Sequence, residues 1–96
     1  MERPLDRLKS KVRKENLWLY ILRLLKKNEM YGHEIRRCVK ENFGFWIGNV
    51  TSYKVLHALH GGGYVRSSLR GGRIYYSITA TGRKELEAAE KFLKEA

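Results

Sequence analysis

One stretch decides the fold class: VRSSLRGGRIYYSI, residues 65–78. Before Gly71-Gly72, the residues at 65, 67 and 69 alternate with those at 66, 68 and 70; after it, those at 74, 76 and 78 alternate with those at 73, 75 and 77. This two-residue period is that of a β-strand with one face toward a core. Two adjacent glycines suit a two-residue hairpin turn, where positive φ angles are needed. Because Arg70 and Arg73 flank the glycines, the stretch predicts an antiparallel hairpin with a basic tip.

Helices are predicted on both sides of this hairpin. We expect residues 1–27 to form a basic amino-terminal helix, within which residues 17–25 are apolar nearly all round. Such a helix must be covered on more than one side, so one side is expected to face its own domain and the other a second subunit. After the hairpin, Thr79 can cap a final helix that extends through residues 79–96.

Two further helices are predicted between these elements. Residues 31–42 place apolar side chains on one face at helical spacing, and Gly44 is the expected left-handed cap. The next helix is expected to begin near Asn49 or Thr51, either of which can cap it, and to stop at residues 61–63, which are all glycine.

The order of elements is therefore helix, helix, helix, hairpin, helix in a single domain of residues 1–96. This is a mainly α fold with a small antiparallel β-hairpin (α+β), the pattern of a winged helix-turn-helix. The third helix is suited to a DNA major groove, which is about 12 Å wide. The hairpin tip, with two guanidinium groups beside two glycines, suits phosphates or the minor groove.

The charge of the chain also favours nucleic acid. Its 96 residues carry 20 Lys and Arg against 10 Asp and Glu, a net charge of +10. An excess of this size on one small domain favours a polyanion such as double-stranded DNA. The single cysteine, Cys38, fits a reducing cytoplasm, and no apolar run is long enough for a membrane span.

Enzymatic and metal-binding functions are not expected. No nucleophile, base and orienting group occur in a recognisable set, and paired carboxylates are scarce. His57 and His60 lie three residues apart, but a metal site would need three or four converging ligands. No metal and no cofactor are predicted.

Four stretches in the right order resemble the PadR-like transcriptional regulators, a family of winged helix proteins. They are LYILRLL (residues 19–25), MYGHEI (30–35), TSYKVLHAL (51–59) followed by Gly63-Tyr64-Val65, and RIYYSITATGR (73–83). Lys54 departs from the family pattern, which usually has proline there, and Gly61-Gly62 replaces an acidic pair. The resemblance implies a DNA-binding regulator, with contacts from Thr51, Tyr53 and Lys54.

The candidate DNA-contacting residues come from the start of the third helix and from the hairpin tip. His57 lies one turn beyond Tyr53 and is included because it shares the same exposed side. The full set is Asn49, Thr51, Ser52, Tyr53, Lys54, His57, Arg70, Gly71, Gly72 and Arg73.

A twofold homodimer is expected, because palindromic operators are best matched by a protein twofold. Apolar stripes in the first and last helices are the candidate interface: Leu5, Leu8, Val12, Leu86, Ala89, Phe92 and Leu93. Members of the family often bind small aromatic compounds, so the resemblance allows a small aromatic effector. Trp18 and Trp46 are the candidates to line its cavity, although buried aromatic residues more often belong simply to the core.

We expect a sequence-specific repressor, and two other functions fit the sequence. A sequence-independent architectural protein would coat DNA through charge alone. A winged helix can also serve as a protein–protein adaptor without touching nucleic acid. RNA binding is a lesser variant, because Tyr75 is the one exposed aromatic residue expected on the sheet.

Overall fold

The computed structural model describes residues 16–95 and confirms the winged helix architecture. Its helices are α1 (Leu17–Lys27), α2 (Gly32–Phe43), α3 (Asn49–Gly61) and α4 (Ala80–Glu95). Its strands are β1 (Met30–Tyr31), β2 (Val65–Arg70) and β3 (Arg73–Ile78). The predicted Leu5, Leu8 and Val12, with the rest of residues 1–15, lie outside the described part of the chain.

Within residues 16–95 the sheet has three strands and not the two of the predicted hairpin. The order is β1-β3-β2, all antiparallel, and β1 pairs Met30 with Tyr76 and Tyr31 with Tyr75. The hairpin itself is confirmed, since Arg70 pairs with Arg73 across the turn. Gly71 and Gly72 have φ of 56° and 76°, and a two-residue turn of type I′ requires positive values at both positions.

The boundaries of α2 and α3 differ slightly from the prediction. Residue 31 lies in β1 with extended backbone and precedes α2, and its N–H donates to a carboxylate oxygen of Glu34 over 3.2 Å. Gly44 ends α2 in the left-handed conformation, as predicted. The expectation that Asn49 or Thr51 caps α3 was wrong, because both lie inside the helix and Gly48 is the extended residue before it.

The predicted Thr79 cap is confirmed, and it also joins α4 to the start of the wing. The Thr79 Oγ1 accepts the N–H of Gly82 over 2.9 Å and donates to the carbonyl of Gly63 over 2.6 Å. A Cβ at residue 82 would collide with the backbone carbonyl of Tyr64. Glycine is therefore required at this position for α4 to pack against the segment that leads into β2.

Helix α1 is the centre of the core. Seven of its eleven residues are buried within one chain: Leu17, Leu19, Tyr20, Ile21, Leu22, Leu24 and Leu25. These side chains are covered within a single chain, because α1 contacts α2, α3, α4 and β3. The apolar character of residues 17–25 therefore needs no second subunit to explain it. Among the helices of residues 16–95, none combines the length and apolarity that crossing a bilayer requires.

Candidate nucleic-acid interface

The exposed face of α3 contains most of the predicted helix contacts. Tyr53 is 64% exposed, and the predicted Asn49, Thr51, Lys54 and His57 are exposed as well. The rings of Tyr53 and His57 lie nearly parallel with their centroids 6.1 Å apart. One turn of helix therefore presents two flat side chains side by side on its exposed face.

Ser52 is a correction to the predicted contact set. Its side chain is completely buried, because it shares the inward face of α3 with Leu56 and Leu59 at helical spacing. Its hydroxyl oxygen has no hydrogen-bond partner among the described residues. Ser52 therefore sets how closely α3 packs on the core and cannot reach a ligand on the outside.

Val50 was not predicted, although it is 69% exposed and is the second residue of α3. Its position could have been found from the sequence, since it lies three residues before Tyr53 and seven before His57. Those spacings place all three side chains on one helix face. Because Val50 is exposed on the same face of α3 as Tyr53 and His57, it is part of the candidate surface.

The outer face of the wing holds both predicted arginines against aromatic rings. The guanidinium carbon of Arg70 lies 4.2 Å from the centroid of the Tyr75 ring, and that of Arg73 lies 4.6 Å from the Tyr31 ring. The two rings contact each other edge to face at 5.6 Å. These contacts restrict the rotamers of two flexible side chains before any ligand arrives.

Arg70 has an additional partner, Glu29, which the sequence analysis did not identify. A nitrogen of the Arg70 guanidinium lies 2.6 Å from a Glu29 carboxylate oxygen, and both side chains are about half exposed. No carboxylate lies within ion-pair distance of Arg73 among residues 16–95. The two arginines at the tip are therefore not equivalent, because Arg73 keeps its full positive charge for a ligand.

The inner face of the wing is apolar at its tip. Leu69 pairs with Ile74 across the hairpin, and their side chains are 73% and 46% exposed. Ile74 and Ser67 line a cleft of about 140 Å³ whose other wall is formed by Tyr53 and His57 of α3. Helix and wing therefore flank one continuous concave surface.

Tyr76 lies at the base of this surface. Burial raises the pKa of the Tyr76 phenol above its usual value of about 10, and the nearby Tyr53 phenol adds to the rise. The phenol therefore stays protonated and uncharged at neutral pH. It can serve as a hydrogen-bond donor at the base of the cleft.

The predicted interface residues of α4 separate into two groups. Leu86 is completely buried and Ala89 packs against the core, so the assignment of Leu86 to a dimer interface was wrong. Phe92 is 71% exposed and Leu93 is 49% exposed. Of the four predicted interface residues of α4, a single chain thus leaves only Phe92 and Leu93 uncovered.

The two tryptophans do not share a cavity. Trp18 lines a cleft of about 470 Å³ with Leu17, Val55, Ala58, Leu59 and Tyr64, and Lys54 and Glu85 complete its lining. Trp46 lies in the loop before α3, is 64% exposed and does not line this cleft. Nowhere in residues 16–95 do three histidine, cysteine or acidic side chains come together as metal ligands would.

A helix presented beside a basic wing defines the class of winged helix DNA-binding regulators. The model of the transcriptional regulator PadR-like family matches residues 21–88, which is most of the chain. The chain therefore belongs to this family, as the sequence motifs predicted. It is a DNA-binding transcriptional regulator and not an enzyme.

Solved structures of related proteins have the same fold. A transcriptional regulator from Clostridium thermocellum is 27% identical and superposes with a TM-score of 0.83, covering 88% of this chain and 86% of its own. A PadR-like transcription factor from Bacteroides fragilis is 28% identical with a TM-score of 0.79, covering 94% and 91%. A PadR family regulator from Clostridium difficile is 27% identical with a TM-score of 0.72, covering 82% and 91%. No curated protein sequence matches this chain.

Proposed function

We propose that this protein is a sequence-specific repressor that binds double-stranded DNA as a homodimer. Helix α3 enters the major groove, and the wing contacts the backbone or the minor groove. The observation that carries the proposal is the shared surface of helix and wing, since Tyr53, His57 and Ile74 line one cleft. A protein that spans two grooves needs both elements on one side of the molecule.

On α3, the residues nearest its amino-terminal end are proposed to contact the bases. In helix-turn-helix proteins this end of the recognition helix lies deepest in the groove. Asn49 and Thr51 supply hydrogen-bonding groups, and Lys54 supplies a charge for a phosphate or a base edge. His57, one turn further on, is placed to contact the backbone.

On the wing, Arg73 is proposed as the principal phosphate contact. Its guanidinium group is held on the Tyr31 ring and has no carboxylate partner within residues 16–95. Arg70 contributes less, because Glu29 neutralises part of its charge. Gly71 and Gly72 carry no side chains, so the backbone N–H groups at the tip can approach phosphate oxygens closely.

Dimerisation is proposed to use the apolar end of α4, where Phe92 and Leu93 are exposed. The predicted Leu5, Leu8 and Val12 would add to this interface. Repression requires only that the dimer occupy a promoter, and the reduced Cys38 is compatible with action in the cytoplasm.

A small aromatic effector is part of the proposal, and its site is the cleft beside Trp18. The lining is mostly apolar, with Lys54 and Glu85 as charged groups. Lys54 and Val55 belong to α3, so an occupant of the cleft would contact the recognition helix directly. Titration of a Trp46→Phe variant with planar aromatic acids, followed by Trp18 fluorescence, tests this site.

Selection from random duplexes with the purified protein tests the proposed function. We expect an enriched inverted repeat, because each subunit of a twofold dimer reads one half-site. Lys54→Glu and Arg73→Glu should each lower affinity for this repeat at least tenfold, since a negative charge would face the phosphates.

Lys91→Glu is the matched control, since it makes the same charge change on the exposed second half of α4. It should leave affinity within about twofold. Binding without enrichment would support an architectural protein in place of a specific regulator. No binding at low salt would contradict DNA binding and support the adaptor function.

A further inference from the structure

The recognition helix carries little charge for a protein with a net charge of +10. In α3, NVTSYKVLHALHG, the only lysine or arginine is Lys54. Val50 and Tyr53, near its amino-terminal end, are uncharged and are 69% and 64% exposed. The charge that attracts DNA is therefore located mainly on other elements, and the surface of α3 has a different role.

Base chemistry limits what such a surface can recognise. Guanine is read in the major groove mainly by arginine or lysine, which donate to its O6 and N7 acceptors. The one apolar group that base pairs present in this groove is the C5-methyl group of thymine. The exposed apolar surface of a valine and a tyrosine can thus contact the methyl group of thymine. A single lysine can donate hydrogen bonds to few guanines.

The positions of the two side chains agree with this chemistry. Val50 is the second residue of α3, and Tyr53 lies three residues later on the same face. Side chains in the first turns of a recognition helix are those that reach the base edges. Asn49 precedes Val50, and an asparagine amide can pair with both N6 and N7 of adenine.

We propose that Val50 and Tyr53 read thymine methyl groups, so that the half-site for this protein is rich in A·T pairs. This inference rests on the proposed function, because it names the sequence class that the same surface recognises. Affinity for DNA in general comes from the phosphate contacts of the wing and of Lys54, and the discrimination between bases comes from the uncharged face of α3.

Replacement of thymine by uracil in the selected duplex tests the inference. The two bases differ only by the C5-methyl group, so base pairing and phosphate charge are unchanged. We expect one or two thymine positions in each half-site at which uracil lowers affinity about three- to tenfold. Val50→Ala and Tyr53→Ser should each lose the preference for thymine at one of those positions, so that duplexes with thymine or uracil there bind with equal affinity.

Leu69→Ala is the matched control, since Leu69 is just as exposed but lies on the wing. It should retain the full discrimination between thymine and uracil. Thermal unfolding of each variant will show that an exposed side chain was removed without loss of the fold.

The outcomes separate this inference from the function on which it rests. A wild type that selects a site rich in G·C pairs, or tolerates uracil at every position, overturns the inference and leaves the specific regulator intact. Discrimination that persists in both α3 variants also overturns it. A wild type that enriches no sequence at all contradicts the proposed function and this inference together.

Discussion

Neighbouring side chains of α3 face in opposite directions. Ser52 is completely buried, whereas Val50 and Tyr53 on either side of it are mostly exposed. A small buried residue at this position lets the helix lie close to the core. The exposed residues can therefore be exchanged with little effect on folding, while the buried ones determine where the helix lies.

Ser52→Ala should separate stability from binding. Its buried hydroxyl has no partner within residues 16–95, so its removal should leave the free energy of unfolding unchanged or raise it by up to about 1 kcal/mol. DNA affinity should be unchanged, because the side chain does not reach the surface. Urea unfolding and equilibrium DNA binding of the variant check both statements, and a loss of affinity above threefold would return Ser52 to the contact set.

Tyr76 predicts how stability depends on alkaline pH. Since burial raises its pKa in the folded protein, the unfolded chain releases the phenol proton first as the pH rises past about 10. The free energy of unfolding should therefore fall from about pH 9 to about pH 11, and less steeply in Tyr76→Phe. Urea midpoints of the two proteins across this range measure the difference, and equal slopes would contradict the account.

At the start of α3, the spacing of the residues indicates exposure better than residue type does. The spacing of Ser52, Leu56 and Leu59 identifies the inward face of α3, and the same spacing could have excluded Ser52 from the contacts and added Val50. Residue type alone favours Ser52 as the DNA contact and Val50 as the core residue, because serine often contacts DNA and valine is often buried. The structure shows the reverse exposure for both residues. Exposure depends on which face a side chain occupies more than on its polarity.

At the scale of elements, the wing is a hairpin with two chemically different faces. Its outer face holds Arg70 and Arg73 on aromatic rings, and its inner face carries Leu69 and Ile74 toward α3. Strand alternation produces this division, since adjacent residues point to opposite faces. The wing can therefore bring the charge of its outer face to a phosphate, while its inner face is directed toward α3.

Arg73→Met should change the salt dependence of DNA binding in a defined way. Each phosphate contact contributes about 0.9 to the slope of log K against log salt concentration, so one lost contact should reduce the slope by about 0.9 per subunit. Fluorescence anisotropy across a salt series measures the slope, with Lys91→Met as the control. An unchanged slope for Arg73→Met would remove this residue from the phosphate contacts.

The hairpin was predictable from the sequence, but its third strand was not. Two residues are too short to show alternation, so the pairing of Met30 and Tyr31 with β3 gives no local signal. The Glu29–Arg70 ion pair joins residues 41 positions apart and depends on that third strand. Contacts of this kind follow from tertiary packing and not from local pattern.

At the scale of the whole molecule, residues 16–95 present surfaces of different character. The surface of α3 and the wing is proposed to bind DNA, and the end of α4 leaves Phe92 and Leu93 uncovered. An isolated exposed phenylalanine is ordinary on a protein surface. Its place next to Leu93 on the last helix, in a regulator expected to read inverted repeats, favours an interface between two copies.

Phe92→Glu should weaken dimerisation without unfolding the domain. A charge introduced into an apolar interface should raise the dimer dissociation constant at least tenfold, because an unpaired carboxylate would have to be desolvated. Sedimentation equilibrium measures this constant, and Glu87→Gln on the exposed side of α4 is the control. A wild type that is monomeric at micromolar concentration, or a variant that associates as the wild type does, would contradict the interface.

The most direct test of the central claim compares two duplexes of identical composition. One carries the selected inverted repeat, and the other carries the same bases in permuted order. A sequence-specific regulator should prefer the first by a factor of about a thousand or more at physiological salt, the ratio typical of specific DNA-binding proteins. Equal affinities for the two duplexes would show that charge alone governs binding and would contradict recognition by α3.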